Sequence, residues 1–108
     1  MAITIEDFQK VEIRIGTVVS AERVPETDKL LRLEVDFGEG APRQILSGIA
    51  QYMRPEDIVG RQFPFITNLE PRILRGLASN GMLLAVGEGE HFALLSPTRP
   101  VDEGSRIR

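Results

Sequence analysis

Cysteine is absent from the 108 residues and histidine occurs once, at His91. Without thiols there is no disulfide framework, no thiolate metal site and no cysteine nucleophile. A structural zinc site needs four nitrogen or sulfur ligands, which one histidine cannot supply, so no metal is expected. The patterns G-x-x-x-x-G-K-[ST] and G-x-G-x-x-G are also missing, which leaves no phosphate-cradling glycine loop and no implied cofactor. Ser47 and Ser79 stand in no recognisable histidine–acid arrangement. Asp28 and Asp36 read as solvated turn carboxylates within an acidic stretch. The chain is therefore expected not to be an enzyme by itself. No run approaches the ~20 apolar residues of a membrane span, and M-A-I-T-I-E-D-F begins the chain with acids where an export signal carries bases. Neither export nor a membrane partner is expected; a cytoplasmic location fits best.

What charge there is lies unevenly. The net charge is -3, but residues 1–40 hold 5 basic against 9 acidic groups while residues 41–80 hold 5 against 3. A local positive potential can meet phosphates even when the total is acidic, with weak and salt-dependent binding. Eleven of the 13 basic residues are arginine, the side chain suited to planar, bidentate pairing with phosphate or carboxylate, although genome composition accounts for such a bias equally well. The length fits one domain, residues 1–108, that buries roughly 60 to 70% of its extended surface and would gain from a partner subunit.

Apolar spacing outlines a chain of short strands. Thr4 and Asp7 fit a capping box opening a helix of about two turns, edged by Phe8 and Val11. Alternation follows: Val11, Ile13, Ile15 and Val18 on one side, with Gly16 permitting a bulge. After the V-P-E-T-D-K loop, Leu31, Leu33, Val35 and Phe37 form the face of a second strand. A third runs over residues 44–49. Pro55 then opens one helical turn that Gly60 ends, since proline's missing amide hydrogen costs little there. Phe63, Phe65 and Ile66 belong to a fourth strand, residues 81–86 to a fifth and residues 92–95 to a sixth, with G-E-G-E between the last two and a further strand at residues 105–108. An all-β fold follows, a small closed or nearly closed barrel with a sandwich as the competing architecture.

Residues 68–82, N-L-E-P-R-I-L-R-G-L-A-S-N-G-M, are the segment that suggests a purpose. Arg72 and Arg75 stand near Ser79 and Asn80 in a loop constrained by Pro71 and Gly76. The arginines are suited to phosphates, Ser79 and Asn80 to phosphate, sugar or a base edge. Asn68 is placed either to brace the loop or to touch ligand. Met82 either fills core or lies under an unstacked base, and Lys29 near the first long loop is a candidate second phosphate contact. The arginines also admit a plainer role, neutralising Glu70 and covering the barrel end with their stems.

These residues carry a resemblance. The stretches D-F-Q-K-V-E-I-R-I-G from Asp7, A-E-R-V-P-E-T-D-K-L-L-R-L-E-V-D-F-G from Ala21, S-G-I-A from Ser47, P-E-D-I-V-G from Pro55, N-L-E-P-R from Asn68 and R-G-L-A-S-N-G-M from Arg75 resemble, in order and spacing, the tRNA-binding domain family. That family occurs as stand-alone dimeric proteins and at the C-terminus of bacterial methionyl-tRNA synthetase, and nearly the whole chain is covered. The resemblance implies an OB-fold, a five-stranded closed barrel with a short helix between strands 3 and 4, an N-terminal helical turn and a C-terminal extension. It implies homodimerisation outside the barrel and tRNA contacts at Lys29, Arg72, Arg75, Ser79 and Met82, with Asn68 as a loop residue on the same face. Ile73 and Asn80 depart from the family, which often has lysine at the first position and glutamate or glutamine at the second. The implied function is noncatalytic recognition of tRNA by shape and phosphate contacts. Related export chaperones of the CsaA kind make binding of unfolded polypeptide the alternative, and docking on an aminoacyl-tRNA synthetase a third possibility.

Overall fold

The computed structural model describes residues 1–108. Its helix α1, Ile5–Gln9, starts at Thr4, whose hydroxyl oxygen accepts the Asp7 N–H at 3.1 Å. Only half the capping box forms, because the Asp7 carboxylate turns to Lys10 instead of the Thr4 amide. The helix is correspondingly shorter than the expected two turns.

Strand β1, Ile13–Arg23, is long because it serves two neighbours: Ile13–Thr17 pairs with β4, Gln62–Ile66, and Thr17–Arg23 with β2, Leu31–Asp36, both antiparallel. The bulge expected at Gly16 lies instead between Val18 and Ser20. Gly16 has another task, since a Cβ there would stand 2.4 Å from Val35 Cγ1 and 2.6 Å from Phe37 Cε1. With no bulge at Gly16 the alternation continues through it, so Ile15 and Val18 face opposite sides. Val18 enters the core, while Ile15 is covered by the C-terminal segment.

Strand β3, Arg43–Ser47, pairs with β2 and stops two residues before the expected end. Pro55–Asp57 is a single 3-10 turn with proline at its start, and it leads into β4. Phe63 and Phe65 of β4 are fully buried, and Phe65 meets Phe37 edge-on at 5.4 Å between ring centres. Leu31, Leu33, Val35, Ile45 and Ile58 complete the centre of one core. Each such side chain contributes roughly 1.5–3 kcal/mol by leaving water.

The later strands depart most from expectation. Residues 72–79 form a hairpin, β5 (Arg72–Leu74) and β6 (Leu77–Ser79), where an irregular loop was expected. The expected fifth strand is divided: β7, Met82–Leu83, pairs with β4, whereas β8, Ala85–Val86, leaves to pair with β9, Ala93–Leu94. The G-E-G-E connection holds a 3-10 turn over Gly89–His91. In place of a last strand, Arg106 forms a lone bridge to Arg14, flanked by Ile15 N–H to Ser105 O and Ile107 N–H to Ile13 O, both 2.8 Å.

The main sheet runs β3-β2-β1-β4-β7. Its β3 edge is joined to the residues just ahead of β7 by discrete bonds and not a ladder: Asn80 N–H reaches Gln44 O at 2.9 Å, and Leu46 N–H reaches the Ser79 hydroxyl at 3.0 Å. The result is a nearly closed five-stranded antiparallel barrel with a short helical turn between its third and fourth strands, the OB-fold.

Candidate nucleic-acid interface

The β5–β6 hairpin is built by two residues. Arg75 and Gly76 both have positive φ, 53° and 79°, as a two-residue type I′ turn requires, and that turn matches the twist of the flanking strands. The turn lifts the Arg75 side chain to the hairpin tip, while Arg72 sits at the hairpin's base. Both are exposed and neither forms an ion pair.

The hairpin is fixed to the barrel through the edge of β3. Ser79 is buried; its hydroxyl accepts from Leu46 N–H and donates to Gly81 O at 3.2 Å. Gln44 donates to Ala78 O at 2.8 Å and accepts from Arg32, which is itself held by Glu22 at 2.7 Å. Arg43 donates to Thr67 O and Asn80 O, at 2.7 and 3.2 Å, clamping the two ends of the segment that carries the hairpin. Its guanidinium lies over the Phe37 ring and forms a two-pronged pair with Glu39, 2.9 and 2.7 Å. The hydrogen bond from Arg43 holds the Glu39 carboxyl below its ordinary range against the opposing effect of burial, and the same bond raises the Arg43 pKa. At the same end of β4, the Thr67 hydroxyl donates to Glu12 at 2.7 Å beside the Arg14–Glu12 pair. That hydroxyl, ahead of the two contacts with Arg14, lowers the Glu12 pKa.

Between hairpin and barrel lies a groove of about 530 Å³, lined mostly by apolar groups including Leu30, Leu46, Leu74 and Met82, with Arg72 among them. Lys29 is exposed beside Leu30, and its backbone carbonyl accepts from Ala50 N–H at 3.0 Å. The fold thus brings Arg72 and Met82 to one groove, with Lys29 adjacent in sequence to its wall. Arg75 stands at the hairpin tip and Ser79 beneath the hairpin, with its hydroxyl engaged. Asn68 is engaged elsewhere: its amide accepts from Glu12 N–H at 2.9 Å and donates to Lys10 O at 2.7 Å, tying the junction of α1 and β1.

Leu30, Leu46 and Leu74, and the anchors Gln44 and Arg43, had not been singled out from the sequence. Their signal is phase. Leu30 and Leu46 sit next to the core residues Leu31 and Ile45, so they point away from the barrel interior.

An OB barrel with an apolar groove rimmed by unpaired cations defines a binding module of the kind that holds single-stranded or looped nucleic acid. Residues 13–106 match the family described as putative tRNA binding domain, and the chain belongs to that family. It is 49% identical over 106 residues to a methionine–tRNA ligase of Methanoregula boonei and 50% identical over 105 residues to that of Helicobacter pylori. Those matches cover 98% and 97% of this chain but only 16% of each ligase, the part that corresponds to a tRNA-binding domain and not to the catalytic body. Among solved structures, an MetRS-related protein from Pyrococcus horikoshii superposes with a TM-score of 0.92 at 33% identity, covering 100% of this chain and 99% of its own. The chaperone CsaA from Bacillus anthracis superposes with a TM-score of 0.88 at 34% identity over the full length of both. The chain is therefore a noncatalytic binding module homologous to both.

Proposed function

We propose that this domain, acting as one unit over residues 1–108 in the cytoplasm, binds tRNA through the hairpin and its groove. The observation that carries this reading is a groove whose apolar lining suits an unstacked base and holds Arg72, with two further cations lacking carboxylate partners outside it, Lys29 next in sequence to its wall and Arg75 at the hairpin tip. Backbone phosphates pair with the guanidiniums, Met82 and the leucines cover the base, and Ser79 and Asn68 hold the two ends of the segment in place. A few phosphate contacts give modest affinity, so the fit of the hairpin and barrel to the corner of a folded tRNA supplies selectivity. Two copies double the contact area. Ile5, Val11 and Ile107 are exposed around a groove of about 650 Å³ that also includes Phe8, an apolar face outside the barrel that suits a homodimer.

The apolar lining of the groove also favours a second reading, capture of unfolded polypeptide, in keeping with the full-length likeness to a chaperone. A third is attachment to an aminoacyl-tRNA synthetase, since comparable domains form part of the ligases it resembles. The test is equilibrium binding of the purified chain to folded bulk tRNA and to an unfolded polypeptide. RNA binding that weakens in Arg72→Ala supports the first reading, and polypeptide binding indifferent to Arg72 replaces it with the second. Co-elution with a purified synthetase at micromolar concentration decides the third.

A further inference from the structure

A second groove, sharing no residue with the first, has the opposite chemistry. About 390 Å³ in volume, it lies where the start of β4 meets residues 96–100, and no apolar side chain other than proline lines it. Arg61, Arg99, Thr17, Ser96 and Thr98 contribute donors, and no aspartate or glutamate is among the lining residues. Four of the arginines, Arg14, Arg32, Arg43 and Arg54, are neutralised in ion pairs. Arg99 is exposed and forms none. Arg61 is held by neutral groups, donating to Asp57 O at 3.3 Å and lying over the Phe63 ring at 5.3 Å.

The floor of the groove leaves the Thr17 hydroxyl free to donate. Gln62 donates to Thr17 Oγ1 at 3.1 Å and to Val101 O at 2.7 Å, and its own oxygen accepts Val101 N–H at 3.0 Å. Its acceptor is thus satisfied, and Thr17, having accepted a bond, keeps its proton to give. Among carboxylates on neighbouring segments, Asp57 turns to Arg54 through two 3.0 Å bonds and Asp36, opposite Thr17 in the ladder, to Gly38 N–H at 2.7 Å, while Asp102, two residues beyond Pro100, lies outside the lining. Pro97 and Pro100 limit the backbone freedom of the far wall.

We infer that this groove is an oxyanion site that takes a phosphate group between Arg61 and Arg99. Planar guanidiniums with hydroxyl donors match a tetrahedral anion, and the lack of apolar lining does not suit a base. With the RNA reading above, on which this assignment of the phosphate's source rests, it takes a backbone phosphodiester of the same tRNA whose base enters the first groove. A free phosphate is the other source.

Two titrations of the full chain test this. In the first, inorganic phosphate is added at constant ionic strength while the arginine Nε–Hε resonances are followed by NMR. Saturable shifts at both Arg61 and Arg99 are expected, with the Arg61 response abolished in Arg99→Gln; linear drift without saturation overturns the site. In the second, tRNA binding is measured against salt for Arg61→Gln, Arg99→Gln and, as the first-groove control, Arg72→Ala. Each of the Gln variants is expected to lower the log-log slope by about 0.7–0.9. An unchanged slope beside a saturable phosphate response assigns the site to free phosphate and overturns the RNA source. If the unaltered chain does not bind tRNA, the reading of the first groove fails, and the phosphate titration alone decides whether the second stands.

Discussion

Arg72 and Ser79 stand opposite each other in the β5–β6 ladder, one exposed at the groove and the other buried with its hydroxyl shared between Leu46 N–H and Gly81 O. One end of this pair meets solvent while the other fixes the hairpin to the edge of β3. Ser79→Ala leaves the Leu46 amide without its partner, a loss of about 1–3 kcal/mol for a buried donor. A urea midpoint lowered to that extent is expected. RNA affinity is expected to fall with little change in salt slope, because no phosphate contact is removed. A slope lowered by a full contact would mean that Ser79 touches phosphate directly.

Arg75 combines a strained backbone with a charge, and substitution separates them. Asparagine tolerates the left-handed conformation better than arginine does. Arg75→Asn is therefore expected to keep the hairpin with no loss of stability, while tRNA binding weakens and the salt slope falls by about 0.7–0.9. Thermal melts paired with salt-dependent binding check both halves.

The parts of the fold that were legible in advance are those fixed by local chemistry. Leu31, Leu33 and Val35 alternate into the core, and Pro55 starts a helical turn, because spacing and proline geometry act over a few residues. The split at Leu84 was hidden, because it depends on which neighbour each half finds: Leu84 N–H bonds to Pro64 O, and the next residues turn to β9. At the site, Arg72, Arg75, Gly76 and Met82 stand out by residue type alone, whereas the lack of ion partners for the two arginines is visible only in the fold. The engagement of Asn68 with Lys10 and Glu12 spans more than 50 residues, and no local pattern encodes it.

Gly16 gives a sharp test of the packing. Val35 and Phe37, which a new Cβ would strike, are buried and have little room to withdraw. Gly16→Ala is expected to cost about 1–3 kcal/mol, read as a lowered denaturation midpoint. A midpoint equal to that of the unaltered chain would show that β1 does not approach β2 as closely as described.

Glu12 sets an acid limit. Its pKa is lowered below the ordinary 4.5 in the folded state, chiefly by the Thr67 hydroxyl. A carboxyl depressed on folding stabilises fully above its unfolded pKa, and the contribution is lost as pH falls through the folded value. Glu12→Gln is expected to cost about 1 kcal/mol at pH 7, with the gap from the unaltered chain narrowing progressively below pH 4.5. Chemical denaturation at several pH values reads this directly, and a gap independent of pH would remove Glu12 from the account.

The most direct test of the central claim is competition: labelled folded tRNA bound to the purified chain at about 0.1 M salt, challenged with unlabelled tRNA, an unfolded polypeptide and a DNA duplex of equal length. Displacement by tRNA at the lowest concentration is expected, with affinity and salt slope both reduced in Arg72→Ala. Displacement by the polypeptide at lower concentration than tRNA, with Arg72→Ala unaffected, would contradict the claim.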